Sequence, residues 1–159
     1  MNRILIVYFS RTRHTRRVAE ELAQRLGADI ESIQETGHRT GWWGYLRSLG
    51  EALQRRASPT ATSTQDPSRY DLVVLGTPVW AHTMSSPLRS YIVAHAPQLK
   101  SIAVFCTQGG SGGDSTLAQI AQLCQQRPIA TLVLNAQDID SDHIGVALDG
   151  FATAIRVTH

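Results

Sequence analysis

Short apolar runs rich in β-branched residues, spaced along the chain, constrain its fold more than any other feature. The four clear runs are Ile4–Phe9, Tyr70–Leu75, Ile102–Phe105 and Ile129–Leu134. Strands of a parallel sheet have this character, because helices cover both of their faces. A weaker fifth candidate is Ala28–Ile33, in which Ile30 and Ile33 depart from strict alternation. The runs therefore predict five buried strands.

Apolar residues between these runs recur at intervals of three and four, which indicates amphipathic helices. The four stripes are Val18, Leu22 and Leu26; Leu88, Tyr91 and Ile92; Leu117, Ile120, Ala121 and Cys124; and Ile144, Ala147, Leu148, Phe151 and Ile155. Gly27 and Pro97 are predicted helix stops, and Asp140 or Asp142 is the predicted N-cap of the last helix. This alternation predicts an α/β fold with a doubly wound five-stranded parallel sheet, and right-handed crossovers leave few strand orders, among them 2-1-3-4-5.

A chain of 159 residues predicts a single domain over residues 1–159. One segment, at about residues 37–67, is too long for a minimal connection and is interpreted as an insert. It contains the aromatic side chains of Trp42, Trp43 and Tyr45, a helical spacing of leucines, and the Ser/Thr/Pro-rich loop Ser58–Ser68. The aromatic residues fit three interpretations: a partner surface, a wall over a bound ligand, or ordinary packing of the inserted helix.

Charge and cysteine content exclude several classes of protein. The formal net charge is only +2, and no run of Lys or Arg exceeds two residues, so binding to nucleic acid is not expected. Cys106 and Cys124 have neither a metal-binding nor a C-x-x-C spacing, which favours a reduced protein in the cytoplasm. The first apolar run is too short to span a membrane. The oligomeric state stays open.

Ligands of open parallel sheets bind beyond the carboxyl ends of the strands, so the loops there are interpreted together. The first, Ser10–Arg17, places hydroxyl groups and His14 at the start of a predicted helix, where free N–H groups favour an anion. Its arginines, which add positive charge, are Arg11, Arg13, Arg16 and Arg17. Neither a G-x-x-x-x-G-K-[ST] nor a G-x-G-x-x-G motif is present, so a monophosphate is favoured. The alternative is an ordinary N-cap with solvated arginines.

The second loop follows the strand at Tyr70–Leu75 and carries a tryptophan, Trp80. In a loop at the carboxyl end of a strand, Trp80 is well placed to cover a flat aromatic ligand, and packing against a helix is the alternative. His82 is either a solvated loop residue or a group at the site. Pro87 fits the first turn of the next helix.

The third loop, Thr107–Ser115, has four glycines in five positions, which permit close approach of the backbone to a ligand. Gln108 and Ser111 can donate hydrogen bonds to the edge of a ring. A flexible surface loop is the alternative. Together the three loops fit a phosphorylated planar ligand, and flavin mononucleotide (FMN) meets that description.

The segments Tyr8–Thr15, Tyr70–Trp80 and Phe105–Gly112 resemble the flavodoxin family, within a likeness that runs from residue 3 to about 134. The resemblance implies an FMN cofactor, with its phosphate at the first loop and its ring between the second and third. The residues then expected to bind FMN are Ser10, Arg11, Thr12, Arg13, His14, Thr15, Thr77, Pro78, Val79, Trp80, Ala81, His82, Thr107, Gln108, Gly109, Gly110, Gly112 and Gly113.

The resemblance also implies electron transfer through bound flavin, with a redox partner protein. The alternative within flavoproteins is an NAD(P)H-dependent FMN or quinone reductase acting on small molecules. Two positions depart from the family's T-x-T-G-x-T pattern: Arg13 replaces its glycine, and His14 stands where asparagine is frequent. The slightly basic charge also differs from typical acidic electron carriers and mildly favours the reductase.

Two other classes of protein share part of this pattern. Ser111 lies in a G-x-S-x-G sequence, as in serine hydrolases, but only 48 residues follow it and no oxyanion loop is found. A phosphoacceptor receiver domain needs an aspartate after the third strand, where this chain has Gly76 and Thr77. The hydrolase remains a remote alternative.

Overall fold

The structure is a computed structural model that describes residues 2–35 and 64–159. The strands are β1 (Ile4–Tyr8), β2 (Asp29–Ser32), β3 (Leu72–Trp80), β4 (Thr83–Met84), β5 (Ile102–Gln108) and β6 (Thr131–Asn135). The helices are α1 (Arg13–Leu26), α2 (Ser86–His95), α3 (Gly113–Cys124), α4 (Ala136–Asp140) and α5 (Gly145–Thr158). Single turns of 3-10 helix span Pro67–Arg69 and Ala96–Gln98.

Five parallel strands form a sheet in the order β2-β1-β3-β5-β6. The predicted α/β class is confirmed. The predicted order 2-1-3-4-5 is also confirmed, because the fourth and fifth predicted strands correspond to β5 and β6. The short β4 was not predicted; it pairs antiparallel with the end of β3. Most of the insert predicted at 37–67, with its aromatic residues and leucines, lies outside the described residues and stays a prediction.

The central strands are apolar on both faces because each face supports its own core. In β1, Ile6 and Tyr8 belong to a cluster that includes side chains of α1 and α5. The alternate residues, Leu5 and Val7, belong to a second cluster that includes side chains of α2 and α3. Since successive strand residues point to opposite faces, a strand between two helical layers needs an unbroken apolar run.

Helix ends agree with the predicted stops but not with the predicted N-cap of α5. Gly27 adopts the left-handed conformation at φ 61°, and its N–H donates to the Ala23 carbonyl, which closes α1. Ile144 is the N-cap of α5. The prediction of Asp140 or Asp142 in that role is wrong, because both carboxylates pair with side chains of α1 instead.

The strands β3 and β5 extend further than their apolar runs. The sheet continues through residues whose sequence is typical of a loop. Residues 76–78 of β3 pair in register with residues 105–107 of β5. A side chain at position 76 is excluded, because its Cβ would lie 2.2 Å from the Phe105 ring. The prediction that the second loop begins at Gly76 is therefore wrong: residues 76–80 are the end of β3. Among the described residues, no helix has the length and apolar character required to cross a membrane.

Candidate functional site

The first loop delivers the amino end of α1 to the carboxyl edge of the sheet. The side chain of the N-cap residue Thr12 makes no capping hydrogen bond; its hydroxyl lies 3.2 Å from His14 Nδ1. Ser10 Oγ accepts a hydrogen bond of 3.2 Å from the N–H of Arg16 and donates one to the Thr12 carbonyl. Within the described part of the chain, the N–H groups at positions 13–15 have no hydrogen-bond acceptor. This helix end can therefore donate to an anion.

Arginine charge around this loop is largely neutralised by carboxylates. Arg11 pairs with Glu35 at 3.2 Å, Arg16 with Glu20 at 2.8 Å and Arg17 with Glu21 at 3.1 Å. Hydrogen bonds that Arg16 donates to Glu20 and Arg17 donates to Glu21 raise the pKa of both guanidinium groups. In residues 2–35 and 64–159, Arg13 forms no ion pair and is exposed. Of the four arginines, Arg13 alone keeps an uncompensated charge there.

A buried hydrogen bond ties the first loop to the third. The hydroxyls of Thr15 and Thr107 lie 2.8 Å apart, and the two residues are only 1% and 5% exposed. Both were expected to contact the ligand. Each hydroxyl has one donor and two acceptor positions, so this bond leaves bonding capacity at both. The pair fixes the start of α1 against the end of β5.

Trp80, at the end of β3, contacts Phe9 and the Arg11 side chain of the first loop. The Arg11 guanidinium lies 4.7 Å from the centre of its ring, and Phe9 meets it edge-on with ring centres 5.4 Å apart. Phe9 is itself fixed by an N–H donated to the Gly76 carbonyl at 3.1 Å. Trp80 is partly exposed. A cation over one face and an aromatic edge hold the indole in a defined orientation.

The residues after Trp80 form a two-residue hairpin into β4. Trp80 pairs with Thr83, and the two residues between them, Ala81 and His82, have φ values of 48° and 64°. A tight hairpin with positive φ at both central residues is normally built from Gly, Asn or Asp. Gln119 of α3 supports this turn by donating to the His82 carbonyl at 3.2 Å. The hairpin presents Ala81 and His82 at the surface.

Gly112 brings the third loop against this hairpin. Its φ is 97°, and a Cβ there would lie 2.8 Å from His82 Cα and 2.9 Å from Val79 Cγ1. Only glycine fits both the conformation and the space. Gly109 and Gly110 are exposed and have open space around them, so the structure does not require glycine at those positions.

Two residues that are predicted to contact the ligand, Gln108 and Thr77, form hydrogen bonds within the protein. Gln108 Oε1 accepts from the Gly113 N–H at 2.8 Å, and Gln108 Nε2 donates to Asn135 Oδ1 at 2.9 Å. Thr77 is buried, and its hydroxyl accepts from the Ser85 N–H at 2.9 Å. These side chains hold the third loop and the hairpin in position. Pro78 and Val79, which are also predicted to contact the ligand, lie on β3 between Thr77 and Trp80.

Some contributors to the site have no signal in the sequence. Asp140 reaches His14, with 2.7 Å between Oδ1 and Nε2, across 126 positions of the chain. Asn135 and Gln119 support the third loop and the hairpin from separate elements. Only the position of Phe9, at the end of the first strand next to the loop, could have indicated a role from sequence.

The three loops fit FMN by their chemistry. The amino end of α1 supplies unclaimed N–H donors and the charge of Arg13 for a phosphate. Trp80 can supply an aromatic surface, and Gly112 lets the backbone of the third loop lie close against the hairpin that carries Ala81 and His82. No group of three or more His, Cys, Asp or Glu suited to a metal ion occurs in the described ranges.

Residues 3–144 match the flavodoxin family, and the chain belongs to that family. The predicted resemblance is confirmed, and with it a flavodoxin-like, FMN-binding redox protein. No curated protein has a significantly similar sequence.

Solved structures share the fold at low sequence identity. A flavoprotein from Lactobacillus acidophilus in complex with FMN is 16% identical, with a TM-score of 0.63 over 89% of this chain and 98% of that one. Two-electron reduced flavodoxin from Megasphaera elsdenii is 19% identical, with a TM-score of 0.60 over 95% and 98%. A Klebsiella pneumoniae protein assigned as a quinone reductase is 11% identical, with a TM-score of 0.65 over 99% and 85%.

Proposed function

We propose that the chain holds FMN between the loops after β1, β3 and β5 and carries electrons to and from a partner protein. The observation that carries this proposal is the convergence of the three loops. Thr15 bonds to Thr107, Arg11 stacks on Trp80, and the space around Gly112 is closed by the hairpin. Three separate parts of the sequence thus form one site at the carboxyl edge of the sheet, where ligands of such folds bind.

Each loop has a different task in this proposal. The N–H groups at positions 13–15 and the Arg13 guanidinium bind the phosphate, while Trp80 and the backbone of residues 109–112 flank the ring. Gln108 and Thr77 act indirectly, because their polar atoms hold neighbouring backbone groups. Bound FMN supplies one- and two-electron chemistry, and the protein supplies orientation and a shielded environment.

FMN titration of the apoprotein tests the binding site. We expect flavin fluorescence to be quenched at a stoichiometry of one, and riboflavin to bind on the order of 100-fold more weakly because charge-assisted hydrogen bonds to the phosphate are lost. Trp80→Ala should weaken the binding of both FMN and riboflavin, while Trp80→Phe should retain most of the affinity for both. Equal affinity for FMN and riboflavin would contradict the phosphate site at the first loop.

A reductase is the second candidate, favoured by the fold shared with the Klebsiella pneumoniae protein assigned as a quinone reductase. Anaerobic mixing of the FMN-loaded protein with NADPH separates the two functions. A carrier keeps its flavin absorbance over minutes, whereas a reductase bleaches rapidly and recovers when a quinone is added. The cytoplasm is the compartment that fits two buried free thiols, Cys106 and Cys124.

A further inference from the structure

A chain of three polar side chains ends at the proposed phosphate site. Asp140 Oδ1 lies 2.7 Å from His14 Nε2, and His14 Nδ1 lies 3.2 Å from Thr12 Oγ1. The imidazole is mostly shielded, with 27% of its side chain exposed, whereas the Asp140 side chain is 69% exposed. Thr12 is the N-cap of α1, and its hydroxyl makes no capping bond. These three side chains therefore link α4 to the hydroxyl of the N-cap residue of α1.

The direction of these hydrogen bonds depends on the protonation of His14. An ionised carboxylate only accepts, so His14 Nε2 carries a proton toward Asp140. In the neutral ring Nδ1 is then an acceptor, and the Thr12 hydroxyl must donate its only proton to it. In the protonated ring Nδ1 becomes a donor, and the Thr12 proton is free to point elsewhere.

We propose that His14 is a positioning residue that takes up a proton when the phosphate of FMN binds, and thereby frees the Thr12 hydroxyl to donate to that phosphate. This inference rests on the proposed function. The proton comes from solvent and forms the Nδ1–H bond, while Thr12 keeps its O–H bond. A phosphate dianion favours this state, because it attracts both the positive ring and the released hydroxyl donor.

The surroundings of His14 allow the change of charge. Asp140 faces the ring directly, while Arg17 binds Asp142 and the Ile139 carbonyl and leaves Asp140 to His14. The charged or titratable groups on the loop and on the elements around α1 are Tyr8, Arg11, Arg13, Arg16, Arg17, Glu20, Glu21, Arg25, Asp29, Glu31, Cys106, Asp138, Asp140, Asp142, His143, Asp149 and Arg156.

Isothermal titration with FMN in two buffers of different ionisation enthalpy measures the proton uptake. At about pH 8 free FMN is a dianion, because the second pKa of a phosphate ester is about 6, and imidazoles are largely neutral. We expect uptake approaching one proton per FMN for the wild type, and uptake near zero for His14→Gln and for riboflavin with the wild type. Asp140→Asn should lower the uptake, whereas Asp138→Asn, the matched control in α4, should leave it unchanged.

Variants of Thr12 test the role of the Thr12 hydroxyl, which is the part of this side-chain network that lies next to the proposed phosphate site. Thr12→Val should weaken FMN binding about 10- to 100-fold, as expected for one charge-assisted hydrogen bond, and leave riboflavin binding unchanged. Thr12→Ser should restore the affinity. If the His14 variants fail to fold, nitrogen chemical shifts of the His14 ring in the wild type report the same protonation, and they should move with FMN but not with riboflavin.

The outcomes separate this inference from the proposed function. Equal uptake by the wild type and His14→Gln, or ring shifts that do not respond to FMN, would overturn the proton uptake while FMN binding stands. Loss of affinity for both flavins in Thr12→Val would overturn the role of its hydroxyl. If the wild type binds no FMN, the proposed function itself fails.

Discussion

At the scale of single residues, Gly112 differs from the glycines beside it. Its backbone is left-handed, and its missing side chain leaves room for His82 and Val79. Gly109 and Gly110 lie in the same glycine-rich segment, but neither has a left-handed backbone and a side chain at either position would meet no other atom within 4 Å. The sequence predicts a glycine-rich loop, but it does not distinguish the one glycine that the hairpin requires from those that the loop tolerates.

Gly112→Ala tests this distinction. We expect a loss of at least about 1–2 kcal/mol in the free energy of unfolding from the backbone conformation, with a further cost from the contact with His82. FMN affinity should fall as well, because the hairpin and the third loop separate. Gly109→Ala is the matched control and should change stability by less than about 0.5 kcal/mol. Urea unfolding and FMN titration measure both; equal effects would contradict the assignment.

The buried pair Thr15–Thr107 gives a second prediction at this scale. Thr15→Val keeps the shape of the side chain but leaves the Thr107 hydroxyl without its partner, so it should cost about 1–3 kcal/mol. The double variant with Thr107→Val removes both polar groups and should recover much of that loss. A double-mutant cycle by chemical denaturation measures the coupling, and strictly additive effects would show that the two hydroxyls do not interact.

At the scale of elements, the hairpin from β3 to β4 holds two non-glycine residues, Ala81 and His82, at positive φ. Such a conformation costs about 1–2 kcal/mol for a residue with a side chain. Contacts from Gln119 and Arg89, which reach the His82 carbonyl and the Thr83 hydroxyl, hold the turn in place. The sequence gives no sign of this turn, because its central residues are not those that such hairpins favour.

Ala81→Gly should therefore raise stability, against the usual trend. Relief of the left-handed conformation exceeds the entropy that glycine loses on folding, for a net gain of up to about 1 kcal/mol. Ala118→Gly on the exposed face of α3 is the control, and it should cost about 1 kcal/mol. Thermal and urea unfolding of the two variants should move in opposite directions. The same sign for both would argue against a strained turn.

At the scale of the whole molecule, the two thiols lie in the core and report on its opening. Burial raises the pKa of Cys106 to about 12 and that of Cys124 to about 11. In the unfolded chain both thiols ionise near about pH 8.5. The folded state therefore holds protons that the unfolded state releases, and stability should fall as pH rises from about 8.5 toward these values.

Urea unfolding at several pH values above about 8 measures this loss of stability. Thiol labelling at neutral pH tests separately whether the two cysteines stay buried in the native protein. We expect a disulfide reagent to leave both cysteines unmodified in the native protein and to label both at the rate of global unfolding. Denaturant should accelerate labelling in parallel with the loss of secondary structure. Cys124→Ala, which removes the thiol of α3, should leave the labelling rate of Cys106 tied to the unfolding rate of that variant. Rapid labelling without denaturant would show that the core opens locally.

The sequence by itself determined the five-stranded parallel sheet, limited its strand order to a few arrangements, and predicted a ligand site at the carboxyl edge of the sheet. Apolar runs and helical stripes are local patterns, and a parallel sheet with right-handed crossovers leaves few ways to arrange them. It also indicated the class of ligand, because hydroxyls, an aromatic residue and glycines follow the three central strands, which are neighbours in the sheet.

Only the tertiary structure decided how the site is held together. Asp140 on His14, Thr15 on Thr107 and Gly112 under His82 join positions far apart in the chain. The sequence predicts a loop where β3 ends, because residues 76–78 have little intrinsic preference for a strand. Their pairing with β5 keeps them in the sheet. Side-chain partners depend on which surfaces the folded chain brings together. Local sequence patterns do not encode contacts between residues that are far apart in the sequence.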